Sequence, residues 1–257
     1  MVKGVSVKFG NYQETIPKLL KLIGFDKEIK KHESIVLKPD LMKGIKGAST
    51  GIEFVETILK YCMENKNPGS EVFIAEGCDG HSTDDIFDEF GYRRLSEKYG
   101  VGLIDLNNTD FESVGNPEFL RFDNIYYPSV LKDAFLVSLP VLKGDDEFEM
   151  AGALSNMIGA FPARHYKGFF STGKNKIRKW NLKYSVHDIN LCKMPDFALI
   201  DASEHGYILA GQPLEMDKQG ARLLGFDWKE IGYLKLLDDT LSEERDKDKS
   251  VGELIER

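Results

Sequence analysis

The segment SIVLKPD at residues 34–40, together with GIEFVETILKYCMENK at 51–66 and VFIA at 72–75, decides the fold. The first and last segments are short, apolar and rich in β-branched residues, a composition typical of buried strands. The middle segment repeats apolar residues at a helical spacing, at Ile52, Val55, Ile58, Leu59 and Met63. Since parallel strands need a long and usually helical connection, this order predicts a parallel strand pair.

The same alternation continues through the rest of the chain. Further strands are predicted at residues 5–9, 101–106, 135–142, 197–201 and 207–210, and further helices at 15–23, 82–99, 149–161 and 183–192. Residues 220–224 and 228–237 are expected to close the fold. Residues 111–128 interrupt the pattern and indicate a hairpin or an edge excursion. We therefore predict an α/β fold with a largely parallel or mixed central sheet and helices on both faces. We expect a single domain over residues 1–257, with a charged tail at 242–257, although this length also permits two small domains.

Charge and cysteine usage exclude several classes of protein. With 34 Lys and Arg against 42 Asp and Glu, the net charge of −8 opposes general attraction to nucleic acid or anionic lipid. The apolar runs are far shorter than the roughly 20 residues that span a bilayer, and no basic-then-apolar leader is visible. Three scattered cysteines without a CxxC pair favour reduced thiols. We expect a cytoplasmic protein with no membrane partner, and the sequence sets no oligomeric state.

Polar residues follow several of the predicted strands. Ligands of open parallel sheets bind beyond the carboxyl ends of the strands, so these residues are candidates for a common site. We expect Lys38, Asp40 and Gly77 to bind a small anion, and Glu76, Lys143 and Asp201 to serve in catalysis. The alternative is that these loops are simply polar.

Basic and aromatic residues alternate over residues 164–183. Such a segment can bind a small anion or a nucleic acid, or it can be a solvated loop. The net charge disfavours the nucleic acid. Arg164 is expected to bind the anion, and His165 to act as acid or base because the ordinary pKa of histidine lies near neutrality.

The chain carries no complete metal or nucleotide motif. Cys78 and His81 could hold a metal, but their spacing alone is a weak signal, and we assign no metal site. Neither GxxxxGK[ST] nor GxGxxG is present. Gly77 and Gly80 would still let backbone amides approach an anion.

Most of the chain resembles the domain-of-unknown-function 362 family. The resemblance is carried by Val36–Asp40, Ala75–Gly77, Phe90–Tyr92, Leu103–Asn107, Leu139–Lys143, Gly152–Gly159 and Ala221–Gly225. Asn156, within the sixth of these segments, is placed by the resemblance among the binding residues.

Three departures from the family pattern bear on function. Gly144 and Asp145 follow Lys143, where the family has Thr-His, and Ser155 replaces a lysine. The stretch between Asp201 and Pro213 is compressed. The ferredoxin-like module of many members is missing, since no cysteines have cluster spacing, and so the resemblance implies no iron–sulfur cluster here.

We expect an enzyme, or a protein derived from one, that binds a small anionic substrate or cofactor of unidentified kind. A lysine followed by a histidine after a small-residue helix also resembles nickel-pincer-dependent racemases, as an analogy only. The alternative is a binding or scaffold protein that kept the fold and lost the chemistry.

Overall fold

A seven-stranded sheet forms the centre of the computed structural model, which describes residues 4–45 and 48–255 and their side chains as far as Glu243. The strands lie in the order β1 (Gly4–Lys8), β11 (Tyr207–Gly211), β10 (Phe197–Ala202), β7 (Phe135–Leu139), β2 (Ser34–Pro39), β3 (Glu71–Glu76) and β4 (Gly102–Asp105). The run from β10 to β4 is parallel, whereas β11 is antiparallel to both of its neighbours. This mixed, largely parallel sheet confirms the predicted fold class.

Two antiparallel strand pairs lie outside the main sheet. The first joins β5 (Phe111–Val114) to β6 (Ile125–Pro128), within the segment where a hairpin was expected. The second joins β8 (Lys143–Asp145) to β9 (Glu149–Ala151).

Helices cover both faces of the sheet. They are α1 (Tyr12–Ile23), α2 (Phe25–Glu28), α3 (Ile52–Asn65), α4 (Thr83–Glu89), α5 (Tyr92–Tyr99), α6 (Ser129–Lys132), α7 (Ala163–Tyr166), α8 (Leu182–Cys192), α9 (Pro213–Leu223) and α10 (Gly232–Ile255). Side chains of α1, α3 and α5 belong to one buried apolar cluster, and those of α8, α9 and α10 belong to the other. The charged tail predicted at 242–257 lies almost entirely outside the described side chains.

Alternation along the strands assigns each residue to one of these two clusters. On β2, Ile35 and Leu37 join the cluster of α1, while Val36 joins that of α8. On β10, Phe197 and Leu199 likewise join the cluster of α1. Successive side chains of a strand point to opposite faces, so this parity decides which of the two clusters each buried apolar residue joins.

Two predicted helices differ from the structure. The helix expected at 82–99 is divided at Gly91, whose φ of 86° lies in the left-handed region and ends the first helix. The helix expected at 149–161 is instead β9 followed by a 3₁₀ turn over Ser155–Ala160. The glycines of this stretch allow close packing, since a Cβ atom at Gly152 or Gly159 would lie within 3.0 Å of a neighbouring side chain.

None of the helices within the described residues is long and apolar enough to cross a bilayer.

Candidate functional site

A buried cluster of two lysines and one carboxylate lies at the carboxyl ends of β2 and β3. The Nζ atom of Lys38 donates to Oε1 of Glu76 at 2.9 Å and to Oδ1 of Asn156 at 3.0 Å. Lys38 and Glu76 have no solvent exposure. We call these residues, together with Lys174, the buried lysine cluster.

Backbone groups complete the coordination of Glu76. Its Oε1 also accepts from the amide of Gly77 at 2.7 Å, and its Oε2 accepts from the amide of Leu41 at 3.0 Å. Asn156 holds the other side of the cluster, since its amide nitrogen donates to the carbonyl of Lys38 and to Oγ of Ser138, both at 3.0 Å. The cluster therefore joins β2, β3 and β7 to the 3₁₀ turn.

Lys174 is the member that sequence reasoning missed. It lies within the basic segment 164–183, yet it is fully buried, and its Nζ donates to the carbonyls of Gly77 at 2.7 Å and Gly159 at 3.0 Å. Burial lowers the pKa of Lys174 to about 8. No periodicity distinguishes it from the exposed lysines around it, so only the tertiary structure reveals its position.

Asp79 fixes the chain around Lys174. Its Oδ1 accepts from the backbone amide of Lys174 at 2.5 Å, and its Oδ2 pairs with the guanidinium of Arg178. Arg178 also reaches Glu147 at 2.8 Å. These ion pairs hold the segment that covers the cluster.

A closed pocket lies beside the buried lysine cluster and contains two of the predicted site residues, Asp40 and Lys143. Its lining residues are Asp40, Met42, Lys43, Ala48, Lys143, Asp145, Phe148, Ala151, Ser155 and Asn156. The space inside is about 10 Å³, which is roughly enough for one water molecule.

Internal contacts occupy the charged groups of the closed pocket. Lys143 donates to the carbonyl of Ala48, and Lys43 pairs with Asp145 at 2.8 Å. Burial and the nearby Glu76 raise the pKa of the Asp40 carboxyl, against the opposing effect of Lys143 and Lys38. These charged groups are thus bonded within the protein, and little free space is left between them.

An open cavity of about 540 Å³ lies beyond the carboxyl ends of β3 and β4. We call it the strand-end cleft. It is lined by His81, Ser82, Thr83, Asp84, Asp105, Asn107, Asn108, Ala163, Arg164, Lys167, Ser171 and Thr172. A volume of this size suits a small ligand.

Around the strand-end cleft the carboxylates have bonding partners, whereas the two exposed cations have no carboxylate partner within the described residues. Asp84 binds Arg93 at 3.0 Å, and Asp105 accepts from Asn107 and Asn108. Arg164 and Lys167 are exposed, and neither forms an ion pair with a carboxylate among the described side chains. The cations of the cleft are therefore available to an anion, whereas its carboxylates already have partners.

Asn107 organises the wall of the cleft. Its amide nitrogen donates to the carbonyl of Cys78 at 2.9 Å and to Oγ1 of Thr83 at 3.2 Å, while its oxygen accepts from the amide of Ala163 at 2.9 Å. It thereby positions α7, which carries Arg164, against the ends of β3 and β4.

The predicted site residues do not all meet. Lys38, Glu76, Gly77 and Asn156 share the buried lysine cluster, and Asp40, Lys143 and Asn156 share the closed pocket. The amide of Gly77 donates to Glu76.

Asp201 lies apart from these residues. It continues the face of Phe197 and Leu199, opposite to Val36 and Lys38. Its Oδ2 accepts from the hydroxyl of Tyr12 at 2.7 Å, and burial raises the pKa of Tyr12 to about 12.

His165 packs on the hairpin of β5 and β6. Its ring stacks on Tyr126 with centroids 4.0 Å apart and meets the edge of Phe111 at 4.4 Å. Burial and the neighbouring cations Arg164 and Lys176 lower the pKa of His165. Arg164 itself lies over the ring of Phe111.

Comparison with protein families matches residues 35–225 to the family described as Domain of unknown function (DUF362). The chain belongs to the DUF362 family. The matched range begins on β2 and ends just after α9, so it includes the buried lysine cluster, the closed pocket and the strand-end cleft. Comparison with curated proteins gave no match.

Among solved structures, this DUF362 protein is similar in fold to the lactate racemase apoprotein from Thermoanaerobacterium thermosaccharolyticum. The TM-score is 0.56 at 12% sequence identity. The match covers 90% of this chain and 58% of the racemase chain, so the chain spans less than two thirds of the racemase. At this identity the likeness concerns the fold alone.

The residues of the racemase analogy do not assemble a cofactor site. Lys143 lies in the closed pocket, whereas His165 packs between Tyr126 and Phe111. Within the described part of the chain, no three His, Cys, Asp or Glu side chains are grouped to hold a metal ion. The side chains present do not fit a nickel-pincer group, and we derive no chemistry through one.

Proposed function

We propose that this DUF362 protein binds a small anionic substrate or cofactor in the strand-end cleft, and that it is an enzyme or derives from one. One observation carries the proposal. Arg164 and Lys167 face a cavity of about 540 Å³ without a carboxylate partner, at the edge of the sheet where ligands of parallel α/β folds bind.

Hydroxyl groups of the cleft suit the same ligand. Ser82, Ser171 and Thr172 offer hydroxyl donors to anionic oxygens, and a charged acceptor strengthens each such hydrogen bond. Arginine adds a planar pair of donors that matches a carboxylate or a phosphate. Of the lysine and arginine residues predicted in the site, Arg164 borders this cleft, while Lys38 and Lys143 are engaged elsewhere.

The racemase neighbour supplies a first probe. Its name contains lactate, a small hydroxycarboxylate, which falls in the size and charge class that the cleft accommodates. Lactate and inorganic phosphate together therefore test whether the site favours a carboxylate or a phosphate.

Titration calorimetry of the full chain with each probe tests the proposal. Replacing both cations, Arg164→Ala with Lys167→Ala, should weaken the binding of the preferred anion by about tenfold or more, because two charge-assisted contacts are lost. A matched control, Lys27→Ala with Lys30→Ala, removes the same charge from exposed positions outside the cleft. Equal affinity in the wild type and in the cleft variant would refute the assignment.

A second candidate function is a binding or scaffold role without catalysis. The observation that favours it is the internal bonding of Lys38, Glu76, Lys43 and Asp145, which leaves about 10 Å³ in the closed pocket. Native mass spectrometry of protein purified from its own source separates the two. A stoichiometric small molecule supports the enzyme, and a bare protein mass supports the scaffold.

A further inference from the structure

Two adjacent aromatic side chains are almost completely exposed. Phe169 is 94% and Phe170 is 96% exposed, and their rings contact each other edge to face with centroids 4.8 Å apart. The other large apolar side chains that are exposed within the described residues have exposures of 40% to 69%. Two neighbouring phenylalanines fully in water form an apolar feature of the kind that marks an interaction site.

These side chains project from a hydrogen-bonded turn over residues 168–173. The amide of Gly168 donates to the carbonyl of Gly173 at 3.3 Å, and the amide of Ser171 donates to the carbonyl of Gly168 at 3.4 Å. The amide of Gly173 also donates to Oγ of Ser171 at 3.1 Å. We call this turn the phenylalanine tip.

The buried lysine cluster anchors the phenylalanine tip. Lys174 follows the turn directly, and its side chain is fixed by the carbonyls of Gly77 and Gly159. The tip is therefore a convex projection with a fixed base, not an apolar surface turned toward the protein.

Positive charge surrounds the tip in sequence. Residues 163–187 contain no Asp or Glu, on a chain whose net charge is −8. Ion pairs engage Arg178, and burial removes Lys174 from the surface. The exposed cations that remain in this segment are Arg164, Lys167, Lys176 and Lys179.

We propose that the phenylalanine tip docks on an anionic lipid bilayer, with Phe169 and Phe170 inserted among the headgroups and the surrounding cations bound to lipid phosphate and carboxylate. Aromatic side chains favour the membrane interface, and clustered lysines and arginines are attracted to anionic leaflets. Apolar insertion and charge attraction together supply two signals, which is the combination that stable surface anchoring requires.

A bilayer fits this feature better than a nucleic acid does. Single strands bind in basic grooves where bases stack on exposed ring faces. Here the rings stand on a turn that projects into solvent, and no groove of the described residues surrounds them. The earlier expectation of no membrane partner rested on net charge and on the length of apolar runs, and neither addresses a local projection of this kind.

Vesicle flotation with the full chain tests the proposal. We expect the wild type to float with phosphatidylcholine vesicles that contain phosphatidylserine, and to float much less with pure phosphatidylcholine. Phe169→Ser with Phe170→Ser should weaken binding by more than about tenfold, because the inserted apolar area is lost. Lys176→Glu with Lys179→Glu should also weaken it, with the largest effect at low salt.

Leu22→Ser provides the matched control, because Leu22 is an exposed apolar residue on α1 with 66% exposure. This variant should bind vesicles as the wild type does. Since the tip is exposed, thermal unfolding should be the same for the phenylalanine variant and the wild type, which separates lost docking from lost folding.

Three results would overturn the proposal: no preference of the wild type for phosphatidylserine, unchanged vesicle binding after the phenylalanine substitutions, or binding of a single-stranded oligonucleotide with no binding of vesicles. None of the residues substituted in these measurements lines the strand-end cleft, so they test the tip separately from the anion site.

Discussion

Lys38 and Glu76 form a salt bridge of 2.9 Å in which neither side chain has any exposure to solvent. Removing one partner of a buried ion pair leaves the other charge buried without a partner, whereas replacing both partners removes both charges. The surrounding amides of Gly77 and Leu41 stabilise the carboxylate further. The stability of the carboxyl ends of β2 and β3 is therefore sensitive to the substitution of either residue alone.

Substituting the two members of this pair separately and together should show strong coupling. We expect Lys38→Met to lower the free energy of unfolding by about 3–5 kcal/mol, because Glu76 is left buried without its cation. The double variant, Lys38→Met with Glu76→Gln, should lose less than the sum of the single losses. Urea unfolding of the four proteins measures this coupling, and additivity within about 0.5 kcal/mol would contradict it.

Gly159→Ala should be strongly destabilising. A Cβ atom at this position would lie 2.6 Å from Nζ of Lys38 and against Oε1 of Glu76. Both atoms are fixed in a buried ion pair, so we expect a loss of about 2 kcal/mol or more in the free energy of unfolding. Gly144→Ala is the control, because its Cβ would meet nothing within 4 Å. Similar unfolding midpoints for the two variants would argue against this packing.

The pH dependence of stability should reveal Lys174. Its folded pKa of about 8 lies below the ordinary value of 10.5, so the unfolded chain binds more protons between these pH values. Stability should therefore rise with pH across this window, whereas the full cost of burying the ammonium group applies below pH 8.

Lys174→Met should lack that rise. Between pH 8 and 10.5 we expect the wild type to gain on the order of 3 kcal/mol relative to the variant. Urea unfolding at both pH values measures the difference, and Lys27→Met, at an exposed position, should follow the wild type. If the free energy of unfolding changed with pH in the same way for Lys174→Met and for the wild type, the Lys174 amine would not be desolvated in the folded protein.

Asp217→Ala should destabilise the turn that carries Asn156 and Gly159. The buried carboxylate of Asp217 accepts from the amides of Ala153 at 2.6 Å and Leu154 at 3.0 Å. Loss of both acceptors leaves two buried donors unpaired, at a cost of about 2–5 kcal/mol. Asp227→Ala, which removes an exposed cap, should cost about 1 kcal/mol or less in thermal or urea unfolding. A small effect at Asp217 would mean that water replaces the carboxylate.

The sequence was sufficient to predict the layered fold. Hydrophobic periodicity identified β2, α3 and β3 almost to the residue, because these segments are buried in the way that their patterns indicate. The sequence pattern did not predict the structure of residues 149–161, because glycine and alanine are compatible with both a helix and a compact turn. There the decisive interactions are tertiary, through Asp217 and Ser138.

The candidate site was only partly predictable for a geometric reason. The strand-end rule places Lys38, Glu76 and Asp201 at one edge of the sheet, but it does not specify the face. Strand parity does not decide the contacts either. Glu76 and Asp201 both continue the α1 face of their strands, yet Glu76 bonds Lys38 while Asp201 accepts from Tyr12. Lys174 comes from a loop without periodicity, so neither its burial nor its partners could be predicted.

The turn over residues 168–173 borders two environments at once. Ser171 and Thr172 line the strand-end cleft, while Phe169 and Phe170 in the same turn point into solvent. A molecule that stiffens or displaces this turn from one side necessarily alters what is presented on the other. If a ligand in the cleft changes the affinity of the protein for lipid, then lipid must change the affinity of the protein for that ligand by the same factor.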